Sequence, residues 1–142
     1  MRVFLLLSLL FSPLSFAGHH SESKNDQIIF LLDLEVIEGK EDQVDDLIDR
    51  LVENVKKTEP GTIAYEYYAS SKDRIFLYEV YENHAAAEFH VDSFLQGDLM
   101  PIFVDTFRVL TFEVLGTTTE QLKVKMKDFT QDHRPKTDGF KR

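Results

Sequence analysis

The sequence predicts an α+β domain with the element order β-α-β-β-α-β, and three observations support this prediction. Four segments alternate apolar with polar residues, as strands with one buried face do. Apolar residues recur at helical spacing between the first two of these segments. A second helical stretch, preceded by an asparagine suited to capping it, lies between the last two.

The first seventeen residues predict a secretory signal peptide. They carry one early charge at Arg2, an apolar run, and small residues before a cleavage site after Ala17. The apolar run is too short and too interrupted for a membrane span. We therefore expect a periplasmic or secreted protein. Residues 18–27 form a polar linker whose adjacent His19 and His20 lack a third ligand, so no metal site is expected there.

The first strand begins at Ile28 as an apolar run and then alternates through Asp33 and Glu35. A glycine turn at Gly39 follows it. From residue 41 to residue 58, apolar side chains recur in steps of three and one, which predicts a helix with an acidic outer face. Pro60 and Gly61 end this helix.

The middle of the chain predicts a hairpin of two strands joined by residues 70–74. Aromatic residues alternate through the first of these strands, and the second extends from Ile75 to Glu82. Asn83 then caps a short helix that contains His90, and a further short helix follows Gly97. Residues 107–115 form the fourth strand. The order is that of a ferredoxin-like domain, an antiparallel sheet with both helices on one face, over residues 28–116.

Both faces of the predicted sheet are apolar. In the third strand, Phe76 and Tyr78 lie on one side, and Leu77 and Tyr81 lie on the other. Since helices cover only one face, the other face should pack against something. We expect a homodimer in which two sheets meet face to face.

The C-terminal extension, residues 117–142, differs from the body in charge. It carries seven Lys or Arg and four Asp or Glu, whereas residues 18–116 carry eight and twenty-one. The acidic body disfavours nucleic acid and anionic membranes as partners. The extension either docks on its own domain or a partner subunit, or is solvated. Within it, residues 120–129 alternate apolar residues with lysines, which predicts an edge strand, either exchanged across a dimer or frayed. We expect residues 130–142 to be disordered.

Candidate chemistry lies where the third strand meets the following helix. Glu79 and Tyr81 are two apart in a strand and face the same side, while His90 is placed to lean over that face. The absence of cysteine excludes a thiol nucleophile. An alternative is that His90 is a structural residue that links helix to strand through Glu79.

Several aromatic side chains could line a pocket beside these three residues, although ordinary core filling explains them as well. They are Tyr65, Tyr67, Phe89, Phe94 and Phe103.

Residues 28–115 resemble the antibiotic biosynthesis monooxygenase domain family, the dimeric α+β barrel proteins. The resemblance rests on Gly39, on Glu59-Pro60-Gly61 with Tyr65, and on a string in the second half of the domain. That string consists of Glu79, Tyr81, Ala86, His90, Ser93 and Phe94. The resemblance implies a homodimer, one pocket per subunit between sheet and helices, and oxidation without a metal, flavin or haem cofactor.

The resulting hypothesis is an exported, cofactor-independent monooxygenase that acts on a small aromatic or quinol-like substrate. In this hypothesis His90, with an ordinary pKa of ~6.5, is the base. Glu79 would fix the tautomer of His90, and Tyr81 would hold the substrate oxygen. The alternatives are a non-catalytic small-ligand-binding or stress-related dimer, and an isomerase or hydrolase of a small polar metabolite.

Overall fold

The structure is a computed structural model that describes residues 26–140. The predicted signal peptide, with His19 and His20, lies outside the described residues. Within residues 26–140 a 3₁₀ turn at Glu41–Gln43 precedes the first helix. The longer elements are β1 (Ile28–Val36), α1 (Val44–Thr58), β2 (Thr62–Ala69), β3 (Arg74–Tyr81), α2 (His84–Gln96), α3 (Met100–Thr106), β4 (Phe107–Leu115), α4 (Glu120–Met126) and β5 (Asp132–Arg134).

The strands form one sheet in the order β2-β3-β1-β4-β5. β1 lies at the centre and pairs antiparallel with β3 and with β4, and β2 pairs antiparallel with β3. This arrangement confirms the predicted ferredoxin-like fold. The short β5 adds a fifth strand, which runs parallel to β4.

One face of the sheet and the helices enclose the core. Every second residue of β1 is buried, from Ile28 to Val36. The helical stripe predicted for α1 is also buried, because Val44, Leu47 and Leu51 pack in the same cluster as the strand residues. Since apolar burial contributes about 25 cal/mol per Å², this shared face is the main source of stability.

The entry into α2 is fixed by a cap and by a close backbone contact. The Asn83 side chain accepts a hydrogen bond from Ala86 N (3.0 Å), as its sequence position predicts. Gly61 lies so close to this turn that a Cβ there would be 2.7 Å from the Cβ of Ala86. The α1–β2 corner therefore packs directly against α2, which brings Glu59 near His90.

The prediction of a strand over residues 120–129 is wrong, because Glu120–Met126 is helix α4. Leu122 and Met126, four residues apart, are buried on one helical face, whereas Val124 is 64% exposed. Thr119 caps the helix by accepting a hydrogen bond from Leu122 N. A strand, in which successive side chains alternate between two faces, also places residues four apart on the same face. The sequence pattern therefore fits both a strand and a helix.

The prediction that residues 130–142 are disordered is also wrong in its first part. Asp132–Arg134 forms β5, and the Thr130 hydroxyl donates a hydrogen bond to the carbonyl oxygen of Phe112 (2.5 Å). The C-terminal extension therefore docks on its own domain through α4 and β5.

The second face of the sheet combines apolar side chains with ion pairs. Leu31 lies opposite Tyr78 on this face, and Phe76 is 39% exposed. Arg74 pairs with Asp33 at 2.6 Å on the same face. The homodimer expected to cover this face stays a prediction.

Candidate active site

His90 lies between two buried carboxylates. Its Nδ1 is 2.8 Å from Oε2 of Glu59, and its Nε2 is 3.8 Å from Oε2 of Glu79. The first distance is a hydrogen bond, in which the imidazole N–H donates to the carboxylate, and the second is an ion-pair distance. All three side chains are less than one tenth exposed. The sheet and α2 thus hold a charged cluster inside an otherwise apolar core.

The two carboxylates are held by different elements. Glu59 follows the last residue of α1, and the hydroxyl of Thr62 in β2 donates to its Oε2 (3.0 Å). Glu79 lies on the core face of β3, opposite Phe30 in β1 and Tyr65 in β2. The Tyr81 hydroxyl donates to Oε2 of Glu79 at 2.5 Å. Each carboxylate therefore has a neutral donor in addition to His90, which fixes its orientation.

The surroundings of His90 favour its charged form. Burial lowers the pKa of His90, but the charge of Glu79 and the hydrogen bond to Glu59 outweigh burial and raise the pKa above its usual 6.5. The charged imidazolium form of His90 is therefore more favoured than that of an exposed histidine. This differs from the expectation of a base with an ordinary pKa, because the sequence pattern did not reveal the second carboxylate.

The surroundings of Glu79 raise its pKa. Burial raises the pKa of Glu79, while the positive charge of His90 and the Tyr81 hydrogen bond act in the opposite direction. A carboxylate with a raised pKa is a stronger base than an exposed one. Glu79 is therefore suited to accept a proton beside a cation.

The tyrosines of the site are neutral hydrogen-bonding groups. Burial raises the pKa of Tyr81 well above its usual 10.0, and the charge of Glu79 raises it further. Burial likewise raises the pKa of Tyr65, and the Tyr65 and Tyr67 hydroxyls lie 3.0 Å apart. None of these phenols ionises at neutral pH, so they serve as donors and acceptors.

An apolar cavity of about 270 Å³ opens beside the charged cluster. Its polar lining consists of Tyr65, Glu79, His90 and Asp128. The apolar lining comes from β1, β3, β4, α2, α3 and the C-terminal extension, and comprises Phe30, Leu32, Leu77, Val91, Phe94, Leu95, Phe103, Val104, Val109, Phe112, Met126 and Phe129. Such a cavity suits a small, flat, largely apolar ligand.

A second cavity of about 270 Å³ lies on another side of His90. It is more polar, since Arg50, Asn54 and Asp98 line it together with Glu59. Tyr65, His90 and Phe94 line both cavities and separate them. The His90 and Phe94 rings stack with an interplanar angle of 12°. His90 therefore faces both cavities, and its hydrogen-bond partner Glu59 faces the polar one.

The structure brings Glu79, Tyr81 and His90 together, but they do not all reach the apolar cavity. Glu79 and His90 line it, whereas Tyr81 is fully buried behind Glu79. Tyr81 is thus placed to position Glu79 and not to hold a substrate oxygen, the role assigned to it above.

Of the aromatic residues predicted to bind substrate, Tyr65, Phe94 and Phe103 line the apolar cavity. Tyr67 contacts Tyr65 from behind and lines neither cavity. Phe89 lines neither cavity and is 53% exposed, because it lies on a solvent-facing side of α2.

Sequence reasoning missed Glu59 as a site residue. Its position before Pro60 and Gly61 indicated only the end of a helix. The one signal in the sequence was a carboxylate next to a proline-glycine turn. The packing of this turn against α2 brings Glu59 to His90.

In the described part of the chain, no group of three or more His, Asp or Glu side chains is arranged to hold a metal ion. None of the helices within residues 26–140 has the length and apolar character that a membrane span requires.

Comparison with known proteins places the chain in a family. The sequence model of the antibiotic biosynthesis monooxygenase (ABM) family matches residues 28–107, more than half of the 142 residues. The chain belongs to the ABM family. The matched part of this ABM protein includes Glu59, Glu79 and His90, and it ends before the C-terminal extension. No curated protein is similar enough in sequence to match.

Solved structures show the same fold at low sequence identity. MupZ from Pseudomonas fluorescens is 17% identical, with a TM-score of 0.74 over 83% of this chain and 96% of MupZ. Rv0793 from Mycobacterium tuberculosis is 16% identical, with a TM-score of 0.55 over 66% of this chain and 97% of its own. SnoaB from Streptomyces nogalater, a cofactor-independent oxygenase, is 11% identical, with a TM-score of 0.54 over 66% of this chain and 95% of its own.

Proposed function

We propose that this ABM protein is a cofactor-independent monooxygenase that oxidises a small aromatic or quinol-like substrate with dioxygen. The observation that carries the proposal is that His90 lies between Glu59 and Glu79 at the wall of an apolar, aromatic-lined cavity. Family membership and the description of SnoaB as a cofactor-independent oxygenase support the reaction class.

The first step is removal of the substrate hydroxyl proton. A phenol that places its oxygen near His90 meets a cation that stabilises the phenolate and a carboxylate, Glu79, that can take the proton. The apolar lining excludes water and so strengthens this electrostatic effect. A general base of this kind typically contributes 10²- to 10⁴-fold to the rate.

The second step is oxidation of the phenolate. The electron-rich anion transfers one electron to dioxygen, and the resulting radical pair combines at a ring carbon that carries hydrogen, ortho or para to the oxygen, to form a hydroperoxide. His90 can supply the proton that the peroxide anion needs. Loss of water then gives the quinone. One oxygen atom enters the ring and the other leaves in water, together with the two hydrogens of the O–H and C–H bonds, so no external reductant is required.

We also propose that residues 1–17 direct export to the periplasm or the medium, and that two subunits pair through the second face of the sheet. The apolar residues on that face, including Leu31, Phe76 and Tyr78, support the dimer. N-terminal sequencing of the protein from its native host should give a chain that begins at Gly18. Light scattering of the purified protein should give the mass of a dimer.

A second candidate function is proton transfer without oxygen, as in an isomerase. The observation that favours it is the polar cavity behind Glu59, which offers an exchange route for protons on the side of His90 away from the ligand. Oxygen uptake separates the two candidates, because an isomerase converts its substrate without consuming dioxygen.

The test is oxygen consumption by the purified protein with anthrone, naphthol and quinol substrates, after subtraction of the uncatalysed rate. We expect uptake by the native protein and loss of at least about 10²-fold in His90→Gln. His84→Gln is the matched control, since His84 lies in the same helix, is half exposed and lines neither cavity. Equal activity in the His90 variant, or no uptake with any substrate, would contradict the proposal.

A further inference from the structure

The apolar cavity extends beyond the part of the chain that matches the ABM family. The family match ends at residue 107, yet Met126, Asp128 and Phe129 of the C-terminal extension line the cavity. The chain therefore completes its ligand site with residues that the family pattern does not specify. These residues are where selectivity particular to this protein can arise.

Asp128 differs in exposure from the other ionisable groups in this lining. The remaining ionisable groups, Tyr65, Glu79 and His90, belong to the buried cluster, whereas Asp128 is exposed at the solvent side. The extension is basic overall, but the one charged side chain that it contributes to the cavity is acidic. A ligand that fills the cavity thus meets the charged cluster inside and a carboxylate at the mouth.

The segment that carries Asp128 is held from both sides. Before it, Lys125 binds both carboxylate oxygens of Asp92 in α2 at 2.6 and 2.7 Å, and Met126 is buried in the core. After it, Thr130 is hydrogen-bonded to Phe112 and the chain continues into β5. The Lys125 charge is neutralised by Asp92, and Lys127 does not line the cavity. The backbone on both sides of Asp128 is therefore held in place, and among residues 26–140 no Lys or Arg side chain lines the cavity.

We infer that Asp128 is a specificity-determining residue, which selects ligands that carry a cationic group at the end opposite the reacting hydroxyl. The preferred ligand class is a small hydroxylated aromatic compound with an amine substituent. The net charge of −9 supports this preference, because an acidic protein attracts cations towards its cavity. This inference rests on the proposed function only for the location of the site and for the aromatic part of the ligand.

Binding tests the inference without requiring turnover. Three naphthol probes share a hydroxylated bicyclic ring and carry, at the end opposite the hydroxyl, an aminomethyl, a hydroxymethyl or a carboxylate group. Their dissociation constants are measured by titration calorimetry with the chain from residue 18 to residue 142, and with the variants Asp128→Asn and Asp128→Lys. Asp138→Asn is the control, since it removes the same charge from the same extension but does not line the cavity.

We expect the aminomethyl probe to bind about three- to fivefold more tightly than the hydroxymethyl probe, and the carboxylate probe to bind most weakly, as exposed charge pairs allow. The preference should disappear in Asp128→Asn, reverse in Asp128→Lys, persist in Asp138→Asn and weaken at high salt. Equal affinity of the native protein for all three probes would overturn the role of Asp128 while leaving the aromatic site in place. If no probe binds, the aromatic ligand class fails as well.

Discussion

Glu59 and His90 are 31 residues apart in the chain, yet their side chains meet in a buried hydrogen bond of 2.8 Å. The bond links the end of α1 to the middle of α2 and leaves the other imidazole nitrogen directed towards Glu79. It favours the cationic form of His90 in an apolar core, and the properties expected of the site depend on this form.

Replacing Glu59 by Gln should lower the pKa of His90. The change removes both the charge and the charged hydrogen bond that raise this pKa, while burial continues to lower it. We expect a value clearly below that of the native protein, measured from imidazole chemical shifts during a pH titration by NMR. Thr62→Val, which removes a neutral partner of Glu59, is the control and should change the pKa much less. An unchanged His90 pKa in Glu59→Gln would show that the contact contributes nothing.

The free energy of unfolding should fall as the pH rises above about 6.5. The folded-state pKa of His90 is raised, so the folded protein binds its proton more tightly than the unfolded chain does. The stabilisation is complete below the unfolded pKa of about 6.5 and is lost as the pH passes through the folded value. Urea denaturation at a series of pH values should show this decline in the native protein, and a smaller one in His90→Gln.

Glu79→Gln should reduce turnover by about 10²- to 10⁴-fold, because the variant loses the proposed proton acceptor but keeps the shape of the side chain.

Tyr81→Phe should have a smaller effect on turnover than Glu79→Gln, and that effect should depend on pH. The Tyr81 hydrogen bond lowers the pKa of Glu79, so its loss should raise that pKa further and move the acidic limb of the pH–rate profile to higher pH. Steady-state kinetics at several pH values measure both effects. A Tyr81→Phe variant that loses activity equally at every pH would contradict the positioning role.

Gly61→Ala should destabilise the domain by about 1–3 kcal/mol, as overpacking does. The added Cβ would lie 2.7 Å from the Cβ of Ala86, at the corner that brings Glu59 to His90. The double variant Gly61→Ala, Ala86→Gly should recover part of the loss, apart from the cost of glycine in a helix. Thermal denaturation of these two variants and of Ala86→Gly alone measures the coupling. A Gly61→Ala variant as stable as the native protein would show that the backbone at this turn shifts to make room for the added Cβ.

Local patterns predicted most of the fold. The alternation in β1, the helical stripe of α1 and the Asn83 cap each depend on residues that are close in sequence, and the structure has all three. The α4 segment could not be assigned from local pattern, since the spacing between Leu122 and Met126 is compatible with both a strand and a helix. Its contacts with α2, such as that between Lys125 and Asp92, are long-range and accompany the helical form.

The site was predictable only in part, for a similar reason. Glu79 and His90 could be brought together from strand alternation and helix position alone. Glu59 enters the site through the packing of the Gly61 corner against Ala86, which no local pattern shows. The raised pKa of His90, and hence the difference from the predicted base, depends on Glu79 and also on this third residue. The placement of Asp128 likewise required the docked position of the C-terminal extension.

The pH dependence of oxygen consumption tests the central claim most directly. The proposed mechanism requires Glu79 without its proton and His90 with its proton. It therefore predicts a bell-shaped profile of kcat/KM, with an acidic limb above the usual carboxyl pKa of 4.5 and a basic limb above the usual histidine pKa of 6.5. A rate that keeps rising with pH through the deprotonation of His90 would show that the neutral imidazole is the base, and would contradict the account.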